Sequence, residues 1–543
     1  MSAHLAELLS TAAAEAPDRV ALIESGTGRR VTWAELDAEA GRVACGLDAL
    51  GLVAGYRVVV ALTNRVEWVA AYLGALRAGL VVVPVNPRSA TGELVRILAD
   101  CGPRVVFADE TSVTTVRQAV AGLQDALTGA DEELRTRTPV PRVLAVSVPT
   151  TPGETSYDEL LGARGDPPPT SGDPERLAVL LYTSGASGRP RAAMLSHRAL
   201  LANIEQNAAV DPPVLTGADV VLGVLPLFHV YGLNAVLGQV LRRQARLVLV
   251  DAFDGLPEQG TLAVVAEQAV TVLPVAPPVF GHWQHVPDLR ERLSSVRLVL
   301  SGSAPLPPET VAHFTERTGL DVHQGYGLTE AAPVVTSTLC SARLKAGSVG
   351  AALPGVEVGL VDDHGRAPEG EDAGEIRVRG DNLFSGWWPD GEDAPDPEVD
   401  GGWYATGDVG FLDEEGDLFL VDRLKDLVIV SGFNVYPTEV EEVVAEVEGV
   451  AEAAVIGVPD PDTGEAVVAY VRPAASSSDP ADPGGPADPL ELVQRVQDHC
   501  ATRLARFKRP AEVRVVDRLP HTVTGKVAKG RLRAERRDPG LLQ

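Results

Sequence analysis

The sequence predicts an α/β protein with a large N-terminal domain of parallel-type α/β sheets, a small barrel-like β subdomain, and a small α+β C-terminal domain. Three observations predict it. Short Val/Leu-rich runs alternate with amphipathic helical patterns from about Val20. After Gly350 the texture changes to short strands separated by Asp/Gly turns. From Leu427 strands and helices mix again. At 543 residues the chain exceeds one ordinary hydrophobic core, so two or more domains are expected.

Taken in order, YRVVVAL at Tyr56–Leu62 predicts a strand, Val66–Ala78 a helix, and Val81–Val85 a strand ended by Asn86-Pro87. A polar, Pro-rich passage from Thr128 to about Pro174 reads as a surface excursion carrying one strand, Val143–Val148. The rhythm resumes with LAVLLYTSG, then Leu247–Val250, Thr271–Pro278 and Val296–Leu306. Val220–Leu241 holds no Asp, Glu, Lys or Arg and is long enough to span a bilayer. Pro226, His229, Asn234 and Gln239 interrupt it, so it reads as buried core and no transmembrane segment is expected. VEVGLVDDHG, GEIRVRG and GDLFLVDR are the short strands of the β subdomain. LVIVSGF, a helix in PTEVEEVVAEV, two strands in AAVIGV and AVVAYVR, and a helix from Pro489 complete the C-terminal part. Pro473–Pro489 has the composition of a flexible loop.

The balance of 47 basic against 75 acidic residues gives a formal charge of −28, which disfavours nucleic acid and anionic membranes as partners. Positive charge concentrates near the end, at Arg503, Arg506, Lys508, Arg509, Arg514, Arg518, Lys526, Lys529, Arg531 and Arg533, where a solvated basic face is the plain reading of most of them. Cys45, Cys101, Cys340 and Cys500 are scattered, without CxxC spacing, as reduced thiols of a cytoplasmic protein would be. The first residues have neither a basic start nor a long apolar run, so no signal peptide is expected.

Several segments carry chemistry. In YTSGASGRPR the glycines can expose backbone N–H groups to phosphate, Thr183, Ser184 and Ser187 offer hydroxyls, and Arg191 adds charge; a Ser/Gly turn after a strand would read the same. It is not a Walker loop. In SGSAPL, Ser301–Leu306, small residues allow close approach to a base. In QGYGLTE an aromatic ring between glycines can lie on a base, Thr329 can bond a phosphate oxygen, and Glu330 suits magnesium; a tight turn is the alternative for each. In WYATGDVG, Asp408 suits two adjacent hydroxyls. In DRLKDLVIVSGF, Arg423 can reach a ribose or phosphate, and Lys425 falls where the texture changes.

These segments, in this order and ending in LPHTVTGKVAKGRLR, resemble the adenylate-forming superfamily, which includes acyl-CoA synthetases, luciferases and adenylation domains of peptide synthetases. The resemblance covers nearly the whole chain. It implies an adenylation core over 1–421, a hinge at 422–425 with Lys425 as the hinge residue, and a mobile lid over 426–543. It implies that ATP is held by Thr183, Ser184, Gly185, Ala186, Ser187, Gly188 and Arg191. Adenine and phosphate would meet Gly302, Ser303, Ala304, Gly325, Tyr326, Gly327 and Thr329, with Asp408 and Arg423 on the ribose. Glu330 would place Mg²⁺, and His229, Tyr231 and Gly327 would line the acyl pocket. Lys526 would bridge the substrate carboxylate and the α-phosphate, with Thr329 and His229 beside the reaction. Rotation of the lid would then bring Ser431, Gly432 and Phe433 to a CoA channel. Two departures stand out: where the family loop commonly reads PKG, this chain has Pro190-Arg191-Ala192, and Ala186-Ser187 replaces a TT pair.

The implied reaction is formation of acyl-AMP and pyrophosphate from a carboxylic acid and ATP, followed by thioester formation. PLFHVYG has no acid for an α-ammonium, which disfavours amino acids, and Leu247–Val250 offers no cation for a second carboxylate, so an apolar fatty or aryl acid is expected. CoA is the first expected acceptor and a free-standing acyl carrier protein the second. A nucleotide-binding protein that has lost catalysis is the reading from a different class.

Overall fold

The computed structural model describes residues 3–129, 138–165, 172–183, 191–251, 258–304, 306–362, 365–368, 372–396, 400–423, 426–430, 433–460, 464–474, 489–504, 506–522 and 526–537. The chain divides into two compact units, 1–358 with 378–404, and 359–377 with 405–543.

The larger unit is built on two sheets. In the first, Val322–Gly327, Leu298–Ser301, Val272–Val275, Val220–Gly223, Arg246–Leu249 and Val20–Glu24 lie side by side, all parallel. Val334–Ser337 and Ser348–Ala352 then extend it antiparallel beyond Val322–Gly327. The second sheet runs Thr155–Ser156, Arg142–Ala145, Val105–Ala108, Arg57–Ala61, Val81–Pro84 and Leu177–Thr183 in parallel, and ends in Arg191–Ser196, antiparallel to its neighbour. Central strands such as Val58–Ala61 and Val81–Val83 are apolar on both faces and buried, as a parallel sheet covered on both sides requires. Trp283, Phe280 and Phe314 fill the core under the first sheet, the two phenylalanines meeting edge to face at 5.1 Å. Between helices Trp33–Ala49 and Val66–Arg77, Gly74 has no room for a side chain: a Cβ there would sit 2.7 Å from the carbonyl of Ala40.

The uncharged stretch Val220–Leu241 is core, as its polar interruptions indicate. It forms the strand Val220–Gly223, a π-helix Tyr231–Gly238 and the start of helix Gln239–Arg243. Among the described residues no helix is long and apolar enough to cross a membrane. The passage Thr128–Pro174 is more than an excursion. It adds two edge strands to the second sheet and a short helix, Tyr157–Leu161, that buries Tyr157 and Leu160.

Tyr404–Leu412, all but its first residue in the smaller unit, and Leu418–Arg423 form an antiparallel hairpin with Phe411 stacked on Phe419 at 4.8 Å. Beyond it, Phe433–Val435, Val428–Val430, Gly464–Pro473 and Val450–Asp460 make an antiparallel sheet, joined by Glu512–Val515 in parallel to Gly464–Pro473. Helices Pro437–Ala445 and Pro489–Arg503 cover it through Val440, Val444, Leu492 and Val496. The basic run is largely compensated here. Arg503 pairs with Glu446, Lys508 with Glu439, Arg514 with Glu512, Lys529 with Glu441 and Arg533 with Asp426. The smaller unit is α+β, as its mixed pattern predicts.

Candidate active site

In open parallel sheets ligands bind beyond the carboxyl ends of the strands. The first sheet delivers two predicted segments to that edge. Ser301 and Gln324 are register partners on adjacent parallel strands, so the turn Gly302–Ala304 and the segment Gly325–Glu330 leave the sheet together. Ser303 takes φ +77°, and the Ser301 hydroxyl is buried with no hydrogen-bond partner among the described residues. Gly302 fits closely against its neighbour: a Cβ there would lie 3.2 Å from Cε1 of Tyr231. Gly302 and Tyr231, which the resemblance assigns to the base site and the acyl pocket, are therefore close neighbours.

Tyr231 opens the π-helix, and its amide donates to Nδ1 of His229 at 3.3 Å. Burial holds the Tyr231 phenol protonated, well above its ordinary range. Gly232 follows because a Cβ there would stand 2.3 Å from the carbonyl of Pro226. Single π-helical turns occur often at functional sites.

Tyr326 is buried at 7% exposure, so a base stacked on it would rest on a small open part of the ring. Its amide donates to Thr336 Oγ1 at 3.3 Å. Gly325 and Gly327 flank Tyr326 on the strand Val322–Gly327. Their missing Cβ atoms would meet Thr336 O at 2.9 Å and Pro333 O at 2.2 Å, so their smallness serves close strand pairing. Thr329 and Glu330 begin a 3₁₀ turn, Thr329–Ala331, and both are partly exposed. Tyr404 donates to Glu330 Oε1 at 3.4 Å. Burial, then the charges of Glu330 and Asp393, push the Tyr404 phenol up, so it remains a donor.

Buried amides fasten this edge. Asn234 Nδ2 donates to Leu200 O at 3.0 Å and Ala332 O at 2.7 Å. Asn203 accepts from Val334 N at 3.1 Å and donates to Val334 O at 2.7 Å. Gln206 donates to Asn382, which donates to Ala331 O at 2.8 Å. Sequence reasoning missed these residues; the signal was Asn203 and Gln206 at helical spacing on an otherwise apolar face of His197–Ala208.

Thr183 and Arg191, which flank the predicted phosphate loop, are register partners on two antiparallel strands. Ser184, Gly185, Ala186, Ser187 and Gly188 lie outside the described residues. The outgoing strand is joined on its far side by a segment the sequence reading overlooked. Ser385 N donates to Met194 O at 2.8 Å, Met194 N to Gly386 O at 3.0 Å, and Trp388 N to Ala192 O at 2.9 Å. Phe384 N donates to the carbonyl of Glu330 at 2.8 Å. Phe384 also stands edge-on to Tyr404 at 5.0 Å and to Trp387 at 5.4 Å. One stretch thus links Glu330 to the strand that begins at Arg191. That arginine ion-pairs with Glu392 at 2.7 Å and stacks on Trp387 at 4.6 Å.

The smaller unit holds the remaining residues. Asp408 and Arg423 are register partners across the hairpin, which puts the two ribose candidates opposite one another. The Asp408 amide donates to Thr406 Oγ1 at 3.1 Å, and Gly407 before it takes φ +72°, a conformation that suits glycine. Lys526 is pinned at both main-chain atoms: its amide donates to Thr522 Oγ1 at 3.1 Å, and its carbonyl accepts from Thr522 N at 2.7 Å. Lys425, Ser431 and Gly432 lie outside the described residues, and Phe433 begins the strand Phe433–Val435.

As for a metal, no group of three or more His, Cys, Asp or Glu side chains gathers among the described residues. A lone carboxylate such as Glu330 fits Mg²⁺, which commonly takes one or two carboxylates and completes its shell with phosphate oxygens and water.

A family model described as AMP-binding enzyme matches residues 9–388, and one described as AMP-binding enzyme C-terminal domain matches 439–526. The chain belongs to the adenylate-forming, AMP-binding enzyme family. It is 33% identical to a long-chain-fatty-acid–CoA ligase of Bacillus subtilis (strain 168), over 98% of this chain and 94% of the relative. It is 33% identical to 4-coumarate–CoA ligase-like 9 of Oryza sativa subsp. japonica, over 95% of this chain and 90% of that one. ATP-bound MatB from Rhodopseudomonas palustris superposes with a TM-score of 0.83 at 33% identity, covering 99% of this chain and 100% of the other. The protein is an AMP-forming acid–CoA ligase, and ATP is its nucleotide.

Proposed function

We propose that this ligase activates an apolar monocarboxylic acid, a fatty acid in the first instance, as its acyl-AMP, and then transfers the acyl group to CoA. The observation that carries the reading is the shared edge at which Gly302–Ala304, Gly325–Glu330 and the mouth of the Thr183–Arg191 hairpin are tied together. Two relatives whose names specify long-chain fatty acid and 4-coumarate support an apolar or aryl tail. The one cation on the neighbouring strand, Arg246, lies at its amino end, away from the edge where a second carboxylate would bind.

In this reading the carboxylate attacks the α-phosphorus, and the mutual repulsion of two anions is the main barrier. Lys526 supplies a positive charge between them. Mg²⁺, held by Glu330 and phosphate oxygens, would neutralise the leaving pyrophosphate. Thr329 bonds a phosphate oxygen, Tyr404 steadies the Glu330 carboxylate, and Asp408 with Arg423 grips the ribose. Lys425 is the hinge about which residues 426–543 turn, withdrawing Lys526 and presenting Ser431–Phe433 to the pantetheine thiol of CoA.

Pyrophosphate release over a panel of straight-chain, aryl and dicarboxylic acids, followed by thioester analysis with CoA or an acyl carrier protein, tests the reading. Release with apolar acids and product on CoA is expected. Product on the carrier alone, or turnover confined to dicarboxylic acids, would overturn it.

A further inference from the structure

Arg191 sits in an electrostatic position at odds with simple phosphate binding. It is the first residue after the phosphate loop and the register partner of Thr183. Yet its Nη2 donates to Glu392 Oε2 at 2.7 Å and lies 3.5 Å from Asp393 Oδ2. The same guanidinium lies over the ring of Trp387, 4.6 Å from its centroid. All three partners belong to one turn. Trp387 N donates to Glu392 O and Gly391 N to Trp387 O, each at 2.8 Å, which folds Glu392 and Asp393 back onto Arg191. The turn is anchored to the arginine's own strand through Trp388 N and Ala192 O, 2.9 Å apart.

A guanidinium already facing two carboxylates offers little net charge to a polyphosphate, and must release at least one of them to bind it. The two acids are 74% and 54% exposed, so each pairing is made in water and is weak. A phosphate that accepts two parallel N–H bonds can displace such partners. Stacking on Trp387 asks nothing of the hydrogen-bonding edge and can persist through the exchange.

We propose that the acidic turn Trp387–Asp393 sets the affinity for ATP: Glu392 and Asp393 compete with the nucleotide's phosphates for Arg191, while Trp387 keeps the guanidinium at the loop mouth. This rests on the reading of the Thr183–Arg191 hairpin as the phosphate site.

The test is calorimetric titration of the full-length protein with Mg·ATP, and separately with adenosine, in the absence of any acid. Glu392→Gln with Asp393→Asn keeps the shape of the turn, and Asn tolerates the φ of +61° at position 393. The pair of changes should tighten ATP by about three- to fivefold, the scale of an exposed ion pair, and leave adenosine unmoved. In an Arg191→Gln background the same changes should bring no gain. An equal gain without Arg191 would show a general charge effect and overturn the proposal, as would unchanged ATP affinity in a protein that otherwise binds ATP. Failure of the unaltered protein to bind ATP would overturn both this proposal and the reading beneath it.

Discussion

Single side chains set how this protein responds to acid. His197 begins the helix His197–Ala208, is 3% exposed, and accepts from Leu5 N at 3.2 Å through Nδ1. The ring of His4 packs on it at 3.9 Å. Burial, then the neighbouring His4 and Arg176, push the His197 pKa down to about 3. Burial also lowers His4. The unfolded chain therefore takes up a proton below about pH 6.5 that the folded one refuses until about pH 3. Stability from this pair is complete above pH 6.5 and is lost as pH falls, by about 1.4 kcal/mol per pH unit for each fully refused proton. Thermal melting at pH 7 and pH 5 should show a drop that His197→Asn, which keeps an acceptor toward Leu5, makes smaller. An equal drop in the variant would contradict the assignment. None of this was legible in the sequence, where His4 and His197 are 193 positions apart in unremarked segments. By contrast Asp408, Glu330 and Lys526 became candidates one by one from the sequence, because each stands in a short motif whose chemistry is local.

At the scale of elements, the site edge depends on strands that approach more closely than side chains permit. Gly327 is the sharpest case, with Pro333 O 2.2 Å from where its Cβ would be. Gly327→Ala should push Val334–Ser337 away, lowering stability by about 1–3 kcal/mol and adenylate formation along with it. Denaturant melting and initial rates would measure this; a variant with unaltered stability and rate would refute the close-packing role. The βαβ rhythm was readable because apolar periodicity is a property of each segment. The stretch Asp381–Asp393 was not, because its value lies in main-chain bonds to Ala192, Met194 and Glu330 that its Pro/Gly/acid-rich text does not announce. The same reason hid Asn234 and Asn382, whose partners are distant carbonyls. The basic C-terminal run hid its partners in the same way, since much of its charge is paired with carboxylates distant in sequence such as Glu439 and Glu446.

At the scale of the molecule, the residues proposed for one reaction fall in two compact units: Tyr326, Thr329 and Glu330 in the larger, Asp408, Arg423 and Lys526 in the smaller. If rotation about Lys425 serves the second half-reaction, fixing that position should separate the halves. Lys425→Pro should keep acid-dependent pyrophosphate release while cutting thioester formation from supplied acyl-AMP by about a hundredfold or more, the scale of a lost gating step. Parallel loss in both halves would reject the hinge. The motif order predicts a core over 1–421 and a lid over 426–543, whereas the compact units divide elsewhere: 359–377 and 405–421 group with the C-terminal residues, and 378–404 with the larger unit.

The most direct measurement is acid-dependent exchange of labelled pyrophosphate into ATP by the unaltered protein and by Lys526→Ala. The account predicts exchange with a fatty acid in the former and a loss of about 10²–10³-fold in the latter, as for removal of one transition-state donor. Exchange undiminished without the Lys526 ammonium, or no exchange by the unaltered protein with any carboxylic acid, would contradict it.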